Sequence, residues 1–382
     1  MTAAARQRIC FVVSSPLTVR AFLAKHIAVL SNRFEVSVVA NANPQALAVE
    51  VPQARFFNVP IVRAISPLRD ALAAIHLFLF FREQGFAVVH SVTPKAGLLS
   101  MVAAWLARVP VRVHTFTGQV WVTRKGPMRV LLRQLDALIA RLATHVLVDS
   151  RSQREFLIAN GVVSAAKATV LGEGSICGVD ERFRPDEAAR IRVRSVLGLP
   201  RDAVLYLYLG RVSRDKGVTD LARAFAALAK RYASAYLLIA GPDEEGLMTR
   251  VEELLDGHRD RFRRIDFTDR PEEYMAAADV FCLPSYREGF GQVAIEASAA
   301  ELPVIASRIY GVIDAVVEGE TGLLHAPGDV AGLTERMRTL IEHPEMRGSL
   351  GSAGRARVLR EFSAERVTQA LRDYYSEVTG KL

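Results

Sequence analysis

The strongest constraint on the fold of this chain is a repeated alternation of short apolar runs with longer helical patterns. Apolar runs occur at residues 8–13, 36–40, 87–90, 111–114 and 204–210, and helical patterns follow many of them. Strands that are apolar along their whole length are buried on both faces, which is typical of a parallel sheet covered by helices. The sequence therefore predicts an α/β fold with ligands bound beyond the carboxyl ends of the strands.

The length of the chain and one interruption of the pattern predict two domains. With 382 residues the chain exceeds the usual size of a single core. A Gly- and Ser-rich segment at 172–180 interrupts the alternation, which resumes near residue 204. We assign residues 1–175 and 176–363 to two doubly wound, Rossmann-like domains that face each other across a cleft. The last helix, about 364–382, is expected to pack back on the first domain.

Cysteine usage and apolar segments indicate the compartment. Cys10, Cys177 and Cys282 lie far apart without a Cys/His cluster, which predicts unpaired thiols and a cytoplasmic protein. The first residues enter a strand pattern without an apolar signal segment. The uncharged run at 71–81 is too short to span a bilayer and is predicted to form a buried helix. We therefore expect no transmembrane segment.

Positive charge is concentrated in the first half of the chain. The net charge is +8, but residues 1–180 contain 20 Lys and Arg against 9 Asp and Glu, whereas the remainder contains 29 against 32. A basic domain suits nucleic acid, an anionic membrane surface or an anionic substrate. Because no nucleic-acid-binding motif is present, we expect a membrane surface or an anionic substrate and no nucleic acid.

The segment 287–296, Arg-Glu-Gly-Phe-Gly-Gln-Val-Ala-Ile-Glu, has the pattern of a strand-to-helix turn. Gly289 and Gly291 leave the backbone open to a ligand, and the helix N-terminus that follows favours a phosphate. Glu288 and Glu296 flank the turn, and carboxylates can accept hydrogen bonds from adjacent sugar hydroxyls. These features together predict a nucleotide-sugar site. The alternative is that both glutamates are solvated surface charges.

A second motif follows the first strand of the second domain. Arg211 and Lys216 lie between Gly210 and Gly217 on a strand-to-helix turn. Such a pair can converge on a diphosphate, the arginine as a fork and the lysine as a point charge. The order Lys-Gly excludes a Walker A loop, and no G-x-G-x-x-G motif follows a strand. The alternative is a solvated loop.

The two motifs together resemble those of the retaining glycosyltransferases of family four, which have the GT-B fold. The resemblance covers nearly the whole chain. In the first half, residues 93–97, 113–118 and 174–180 resemble the bacterial branch that elongates polyprenyl-diphosphate-linked glycans for O-antigen, capsule or protein glycosylation. That branch commonly uses UDP-activated N-acetylhexosamines. The resemblance implies an acceptor-binding first domain and a nucleotide-sugar-binding second domain.

The resemblance also implies roles for donor-site residues. Arg211 and Lys216 would hold the donor diphosphate and stabilise the departing nucleotide, and Glu288 would bind the sugar hydroxyls. Glu296 would bind the ribose hydroxyls, and His114 would face the sugar and the acceptor. The backbone beside the sugar and phosphate would come from Gly289, Phe290, Gly291 and Ser15. At Ser15 the sequence departs from the family pattern, because Ser14-Ser15-Pro16 stands where many relatives have a glycine pair.

Acceptor-binding residues are predicted at the carboxyl edge of the first sheet. His90 ends a strand, Lys95 begins the helix that follows, and Thr117 and Gly118 follow the next strand. Lys95 is suited to an acceptor phosphate. The alternatives are that His90 is structural and Lys95 is merely exposed.

Residues 123–141 predict a basic amphipathic helix. Such a helix can lie on an anionic membrane, and it can equally be a core helix with a charged outer face. The sequence alone leaves both interpretations open. Its basic stripe contains Arg129, Arg133 and Arg141, and its apolar stripe contains Leu131, Leu135, Leu138 and Leu142.

The predicted activity is retaining transfer of a hexosamine from a UDP-sugar to a lipid-linked saccharide on the inner face of the cell membrane. The chain contains no D-x-D motif, so neither a metal nor another cofactor is expected. Charge on the leaving diphosphate would instead be stabilised by Arg211, Lys216 and helix N-terminal amides. Two alternatives remain open, a nucleotide-sugar epimerase with the GT-B fold and a non-catalytic nucleotide-sugar-binding protein.

Overall fold

The computed structural model describes residues 6–62 and 65–380, and its contacts divide the chain into two compact units. The first unit contains residues 1–178 and 364–382, and the second contains residues 179–363. The predicted boundary after residue 175 and the observed boundary after residue 178 both lie in the Gly- and Ser-rich segment 172–180. Residues 1–5 of the first predicted domain and 381–382 of the predicted last helix lie outside the described residues.

The first unit is built on a seven-stranded parallel sheet with the strand order β3-β2-β1-β4-β5-β6-β7. Its strands are β1 (Arg8–Val12), β2 (Glu35–Ala40), β3 (Arg55–Asn58), β4 (Val88–Val92), β5 (Val111–Phe116), β6 (His145–Val148) and β7 (Ala168–Val170). The helices between them are α1 (Pro16–Thr18), α2 (Ala24–Leu30), α3 (Pro44–Glu50), α4 (Pro67–Gln84), α5 (Pro94–Leu106), α6 (Gly126–Leu142) and α7 (Arg151–Ala159).

Both faces of this sheet are covered, as the continuous apolar strands predict. Successive side chains of a strand point to opposite faces. Cys10 and Val12 of β1 therefore belong to one apolar core, shared with α4 and α5, whereas Ile9 and Phe11 belong to the other, shared with α2. Because both faces of the sheet are shielded from water, its strands have few polar positions.

The second unit has a six-stranded parallel sheet with the order β10-β9-β8-β11-β12-β13. Its first elements are α8 (Glu187–Val196), β8 (Val204–Leu209), α9 (Val218–Ala229), β9 (Ala235–Ala240), α10 (Met248–Leu254), β10 (Phe262–Ile265) and α11 (Pro271–Ala277). They are followed by β11 (Val280–Leu283), α12 (Gln292–Ala299), β12 (Val304–Ser307), α13 (Val312–Ala315), β13 (Gly322–His325), α14 (Val330–Glu342) and α15 (Pro344–Glu361).

The last helix, α16 (Ala364–Thr379), returns to the first unit. Leu371, Tyr375 and Val378 are buried in the core that contains Phe11. The Tyr375 hydroxyl lies 2.8 Å from Nδ1 of His90 in β4. Apolar burial and this buried hydrogen bond together hold the end of the chain on the first sheet.

Helix α4 corrects one prediction from the sequence. Residues 71–81 were expected to be a buried apolar helix, and Ala73, Leu77 and Phe81 are indeed buried. However, Leu72 and Leu79 are more than half exposed. Only one side of a helix packs on a sheet, so an apolar run that is wider than that side leaves residues uncovered. Within residues 6–62 and 65–380, no helix is both long and apolar enough to cross a bilayer.

Candidate functional site

The two motifs of the second unit meet at one edge of its sheet. Strands β8 and β11 are parallel neighbours, so the loops at 210–217 and 284–291 leave from the same edge. Gly217 has a φ of +67°, and a Cβ added there would lie 2.1 Å from the carbonyl oxygen of Pro284. The backbone N–H of Tyr286 donates to the carbonyl oxygen of Asp215 at 2.8 Å. A glycine at 217 thus allows the two loops to touch.

This contact joins Lys216 to Glu288. The Lys216 Nζ atom lies 2.5 Å from Oε1 of Glu288, and both side chains are largely buried. The Ser285 hydroxyl donates to the same carboxylate oxygen at 2.7 Å. The arrangement places a cation suited to a phosphate oxygen directly beside a carboxylate suited to sugar hydroxyls.

Arg211 does not join this pair. Its Nη1 atom lies 2.5 Å from Oε2 of Glu244, in the loop after β9. Gly241 allows this loop to approach, because a Cβ there would lie 1.9 Å from the carbonyl oxygen of Gly210. The structure therefore pairs Arg211 and Lys216 with different acids. Their convergence on one diphosphate stays a prediction.

The Gly-Phe-Gly turn, residues 289–291, is packed inside the second unit. The Phe290 side chain is buried against Phe362, with ring centroids 5.2 Å apart. Gly291 has a φ of +86° and is the N-cap residue of α12. Close packing occurs here too, since a Cβ on Gly311 would lie 2.4 Å from the carbonyl oxygen of Gly289. All three residues of the turn are buried, so a contact between their backbone and a ligand stays a prediction.

Glu296 lies farther along α12. The Gln292 side-chain amide donates to Oε1 of Glu296 at 3.2 Å. Burial raises the pKa of the Glu296 carboxyl to about 7, and the Gln292 hydrogen bond opposes this shift. A carboxyl group in this state changes its charge near neutral pH.

In the first unit, His114 is fully buried near the carboxyl end of β5. Its Nδ1 atom lies 2.8 Å from the Ser91 hydroxyl, and its Nε2 atom has no hydrogen-bond partner among the described residues. A Cβ on Gly97 would lie 2.4 Å from Cε1 of the ring, so this glycine makes room for the imidazole. Burial lowers the pKa of His114 to about 3, and the ring is therefore neutral at pH 7.

The predicted acceptor residues are only partly available. Both ring nitrogens of His90 are used inside the unit, Nδ1 by the Tyr375 hydroxyl and Nε2 by the Thr115 hydroxyl at 2.7 Å. We therefore withdraw His90 from the acceptor site and assign it to packing of α16. The Lys95 Nζ atom lies 2.6 Å from Oδ1 of Asp70, so an acceptor phosphate would compete with this ion pair.

The remaining predicted residues lie beyond the carboxyl ends of strands in the first sheet. Ser15 caps α1, and its hydroxyl accepts a hydrogen bond from the Leu17 backbone at 3.3 Å. Thr117 and Gly118 follow β5 directly, and Gly118 has a φ of +127°. A ligand role for these three residues stays a prediction.

Comparison with known proteins identifies the family. The signature described as "Glycosyl transferases group 1" matches residues 190–357, and the "Glycosyl transferase 4-like domain" matches residues 19–174. The capsular polysaccharide biosynthesis glycosyltransferase CapM of Staphylococcus aureus is 31% identical over 321 residues, covering 83% of this chain and 84% of that protein. The chain therefore belongs to the glycosyltransferase family that these two signatures and CapM represent.

Other similar proteins are named for different reactions. The sulfoquinovosyl transferase SQD2 of Arabidopsis thaliana is 30% identical over 305 residues, which cover 78% of this chain and 56% of SQD2. The sucrose-phosphate synthase structure from Thermosynechococcus elongatus gives a TM-score of 0.81 at 23% identity, covering 99% of this chain and all of the other. HepE of Anabaena in complex with UDP-glucose gives 0.80 at 20% identity, with 97% and 100% covered. These structures confirm the predicted GT-B fold class.

Sequence reasoning missed several partners of the site residues in the glycosyltransferase. Ser285 contacts Glu288, and Glu244 contacts Arg211. The Arg287 guanidinium lies 3.1 Å from the Asp215 carboxylate. Asp215 lies inside the motif 210–217, and Ser285 lies two residues before the motif 287–296, so their positions in the sequence were a usable signal. Glu244 could be found only from the pairing of β8 with β9, which the sequence does not state.

A buried carboxyl group in the first unit was also missed. Asp149 follows β6 and lines a small cavity together with His26, His90 and Ser175. Burial raises the pKa of Asp149 to about 8. An acidic residue directly after an apolar strand was the available sequence signal.

The pKa of Glu296 predicts a pH dependence of donor binding. If Glu296 binds the ribose of the donor, as the family resemblance implies, its carboxylate accepts hydrogen bonds from the ribose hydroxyls and its protonated form accepts them less well. We expect the affinity for UDP-N-acetylglucosamine to fall with decreasing pH, by up to about tenfold per unit below the pKa of the group. Calorimetric titration between pH 5.5 and 8.5, roughly one and a half units on either side, measures this. Glu296→Gln should bind more weakly and flatten the profile; an unchanged slope in that variant would contradict the assignment.

Proposed function

We propose that this glycosyltransferase transfers a sugar, an N-acetylhexosamine, from a UDP-sugar to a polyprenyl-diphosphate-linked saccharide. The contact between Lys216 and Glu288 carries the proposal, because it sets a phosphate-binding cation beside a carboxylate for sugar hydroxyls. The capsular polysaccharide name of CapM supports a role in surface glycan synthesis. The bound UDP-glucose of HepE supports a UDP-sugar donor.

The proposed reaction retains the anomeric configuration. The acceptor hydroxyl oxygen bonds to the anomeric carbon on the face from which the UDP oxygen departs, and its proton passes to that departing phosphate oxygen. Lys216 stabilises the negative charge that develops on the diphosphate. Glu288 orients the sugar through its hydroxyls. The neutral ring of His114 serves as a hydrogen-bonding group beside the acceptor.

We propose that transfer needs no metal. Arg211, Lys216 and the backbone amides at the start of α12 would balance the diphosphate charge in place of a cation. Activity should therefore persist after dialysis against EDTA, measured as release of UDP and as glycosylated acceptor. Loss of transfer in EDTA, with recovery on adding Mg²⁺ or Mn²⁺, would contradict this proposal.

A lipid-linked acceptor places the enzyme at the inner face of the cell membrane. The outer face of α6 is suited to such a location, because Arg129, Arg141 and Leu131 are all exposed. The same helix buries Asp136 and Ile139, so it is also a core helix. Exposed basic charge next to exposed leucine supports attraction to an anionic membrane surface.

The experiment that tests the function combines a donor screen with a transfer assay. UDP-, GDP- and ADP-sugars are compared by thermal shift, since a ligand at 100 times its Kd stabilises by about 2.7 kcal/mol. The best donor is then incubated with a synthetic polyprenyl-diphosphate N-acetylhexosamine, and proton NMR of the product gives its anomeric configuration. Epimer formed from the donor alone would indicate an epimerase. Tight donor binding without hydrolysis or transfer would indicate a non-catalytic binding protein.

A further inference from the structure

Helices α4 and α5 carry an apolar surface that the fold leaves uncovered. On α4, Leu68, Leu72, Ile75 and Leu79 are 83%, 56%, 52% and 56% exposed, and Trp105 in the last turn of α5 is 53% exposed. We call these five residues the apolar patch. Positions separated by four, three and four residues lie on one side of a helix. Such a contiguous exposed surface is typical of an interaction site.

The two helices that form the patch lie side by side. The ion pair between Lys95 and Asp70 joins their first turns at 2.6 Å, and α5 packs along α4. Because the helices begin at the same end and pack side by side, Leu79 and Trp105, the thirteenth residue of α4 and the twelfth of α5, lie at similar distances along the two helices. The stripe on α4 alone extends over about 16 Å, the rise of eleven helical residues.

Packing of the first unit does not account for the patch. The opposite side of α4 supplies Ala73, Leu77 and Phe81 to the core that contains Cys10. This inner side is sufficient to hold the helix on the sheet. A polar outer side would leave the same core intact, so the exposed leucines indicate a second contact.

The net charge of the segment from α4 to α6 favours an anionic partner. Residues 67–142 contain ten Lys and Arg against three Asp and Glu. Of the three acids, Asp70 is paired with Lys95 and Asp136 is buried, while Glu83 is exposed. Arg69 and Arg82 of α4 are exposed beside the patch. A second copy of this basic surface would be repelled, whereas anionic headgroups would be attracted.

We propose that the apolar patch docks on an anionic lipid bilayer. Its leucines enter the boundary between headgroups and acyl chains, and Arg69 and Arg82 bind lipid phosphates. The inference rests on the proposed function in one respect, because a lipid-linked acceptor is presented at a bilayer. It assigns insertion to α4 and the end of α5, whereas the sequence pattern pointed to α6.

Flotation with vesicles of phosphatidylcholine, with and without phosphatidylglycerol, tests the patch on the full chain. The wild type should float with the anionic vesicles and less so as NaCl is raised. Leu72→Gln/Leu79→Gln should lower the bound fraction about tenfold, since apolar area no longer leaves water. The matched control is Ile191→Gln/Val196→Gln on α8, where the two side chains are 62% and 82% exposed. It should float like the wild type.

Fluorescence provides a second measurement because the chain has two tryptophans. Trp105 belongs to the patch, whereas Trp121 is buried and donates to Asp136 at 2.8 Å. Anionic vesicles should shift the emission to shorter wavelength, and brominated lipid should quench it. In Trp105→Phe both effects should disappear. Emission that is unchanged while the wild type floats would overturn the proposal.

Further outcomes separate this proposal from its rivals. Two results together would overturn the patch in favour of α6. In the first, Leu72→Gln/Leu79→Gln floats like the wild type. In the second, flotation is lost when Arg124, Lys125, Arg129 and Arg133 are changed to Ser. A concentration-dependent dimer that this double variant abolishes would overturn it in favour of a second copy. The double variant should still transfer sugar to a detergent-dispersed acceptor. Failure of the wild type in that assay, with flotation intact, would contradict the proposed function and leave the docking surface supported.

Discussion

Lys216→Ala should lower kcat/KM for transfer by about 10²–10³-fold and also weaken the binding of UDP itself. Glu288→Ala should lower transfer to a similar extent but leave UDP affinity intact or slightly higher. The difference follows from the 2.5 Å contact between the two side chains. In the proposed function the lysine acts on the diphosphate, whereas the carboxylate that competes for the lysine acts on the sugar. Calorimetry with UDP and a transfer assay with the identified donor measure the two effects.

Arg214→Ala is the matched control for the charge of this loop. Arg214 lies two residues from Lys216, is exposed, and pairs with Glu245 at 3.5 Å. Its removal subtracts the same charge without touching Glu288, so both UDP affinity and transfer should change little. An equal loss of UDP affinity in Lys216→Ala and Glu288→Ala would contradict the separate roles assigned to these residues.

Gly217→Ala should both destabilise the second unit and weaken donor binding. A non-glycine residue in the left-handed region costs about 1–2 kcal/mol. In addition, the new Cβ would stand 2.1 Å from the Pro284 carbonyl oxygen, a backbone atom that cannot rotate away. The two loops must then separate, which draws Lys216 away from Glu288. Denaturant unfolding gives the loss of stability, and UDP titration gives the loss of the site, expected to be at least about tenfold.

Gly319→Ala separates the effect of the left-handed backbone from the effect of the contact between the two loops. Gly319 has a φ of +74° and no atom within 4 Å of an added Cβ, so this variant carries the left-handed cost alone. It should lose stability without losing UDP affinity. If Gly217→Ala were no more destabilised than Gly319→Ala and bound UDP like the wild type, the close approach of the loops would not matter to the site.

The fold class was predictable because it depends on local patterns. A run such as 204–210 is apolar at every position over the length of a typical strand, and a strand covered on both faces has no need of polar positions. The bounds of β8 and the α9 helix after it follow from that pattern and from the glycines between them. The site motifs were predictable for a similar reason, since Lys216-Gly217 and Glu288-Gly289 stand at strand ends, where parallel sheets bind ligands.

The partners of these residues were not predictable, because they depend on which strands become neighbours. Lys216 meets Glu288 since β8 pairs with β11, and Arg211 meets Glu244 since β8 also pairs with β9. His90 illustrates the limit most clearly. Its position at a strand end suggested an acceptor residue, yet α16 brings the Tyr375 hydroxyl to its ring from 285 residues away.

The sequence by itself determined the α/β class, the two sheets and the types of side chain at the proposed donor site, because hydrophobic period and motif spacing are properties of neighbouring residues. Only the tertiary structure decided which charges pair, that α16 returns to the first unit, and that the outer side of α4 remains uncovered. The sequence of an apolar helix does not predict which of its sides will pack on the sheet. That choice is made when strand order fixes the neighbours, and it leaves Leu72 and Leu79 facing outward.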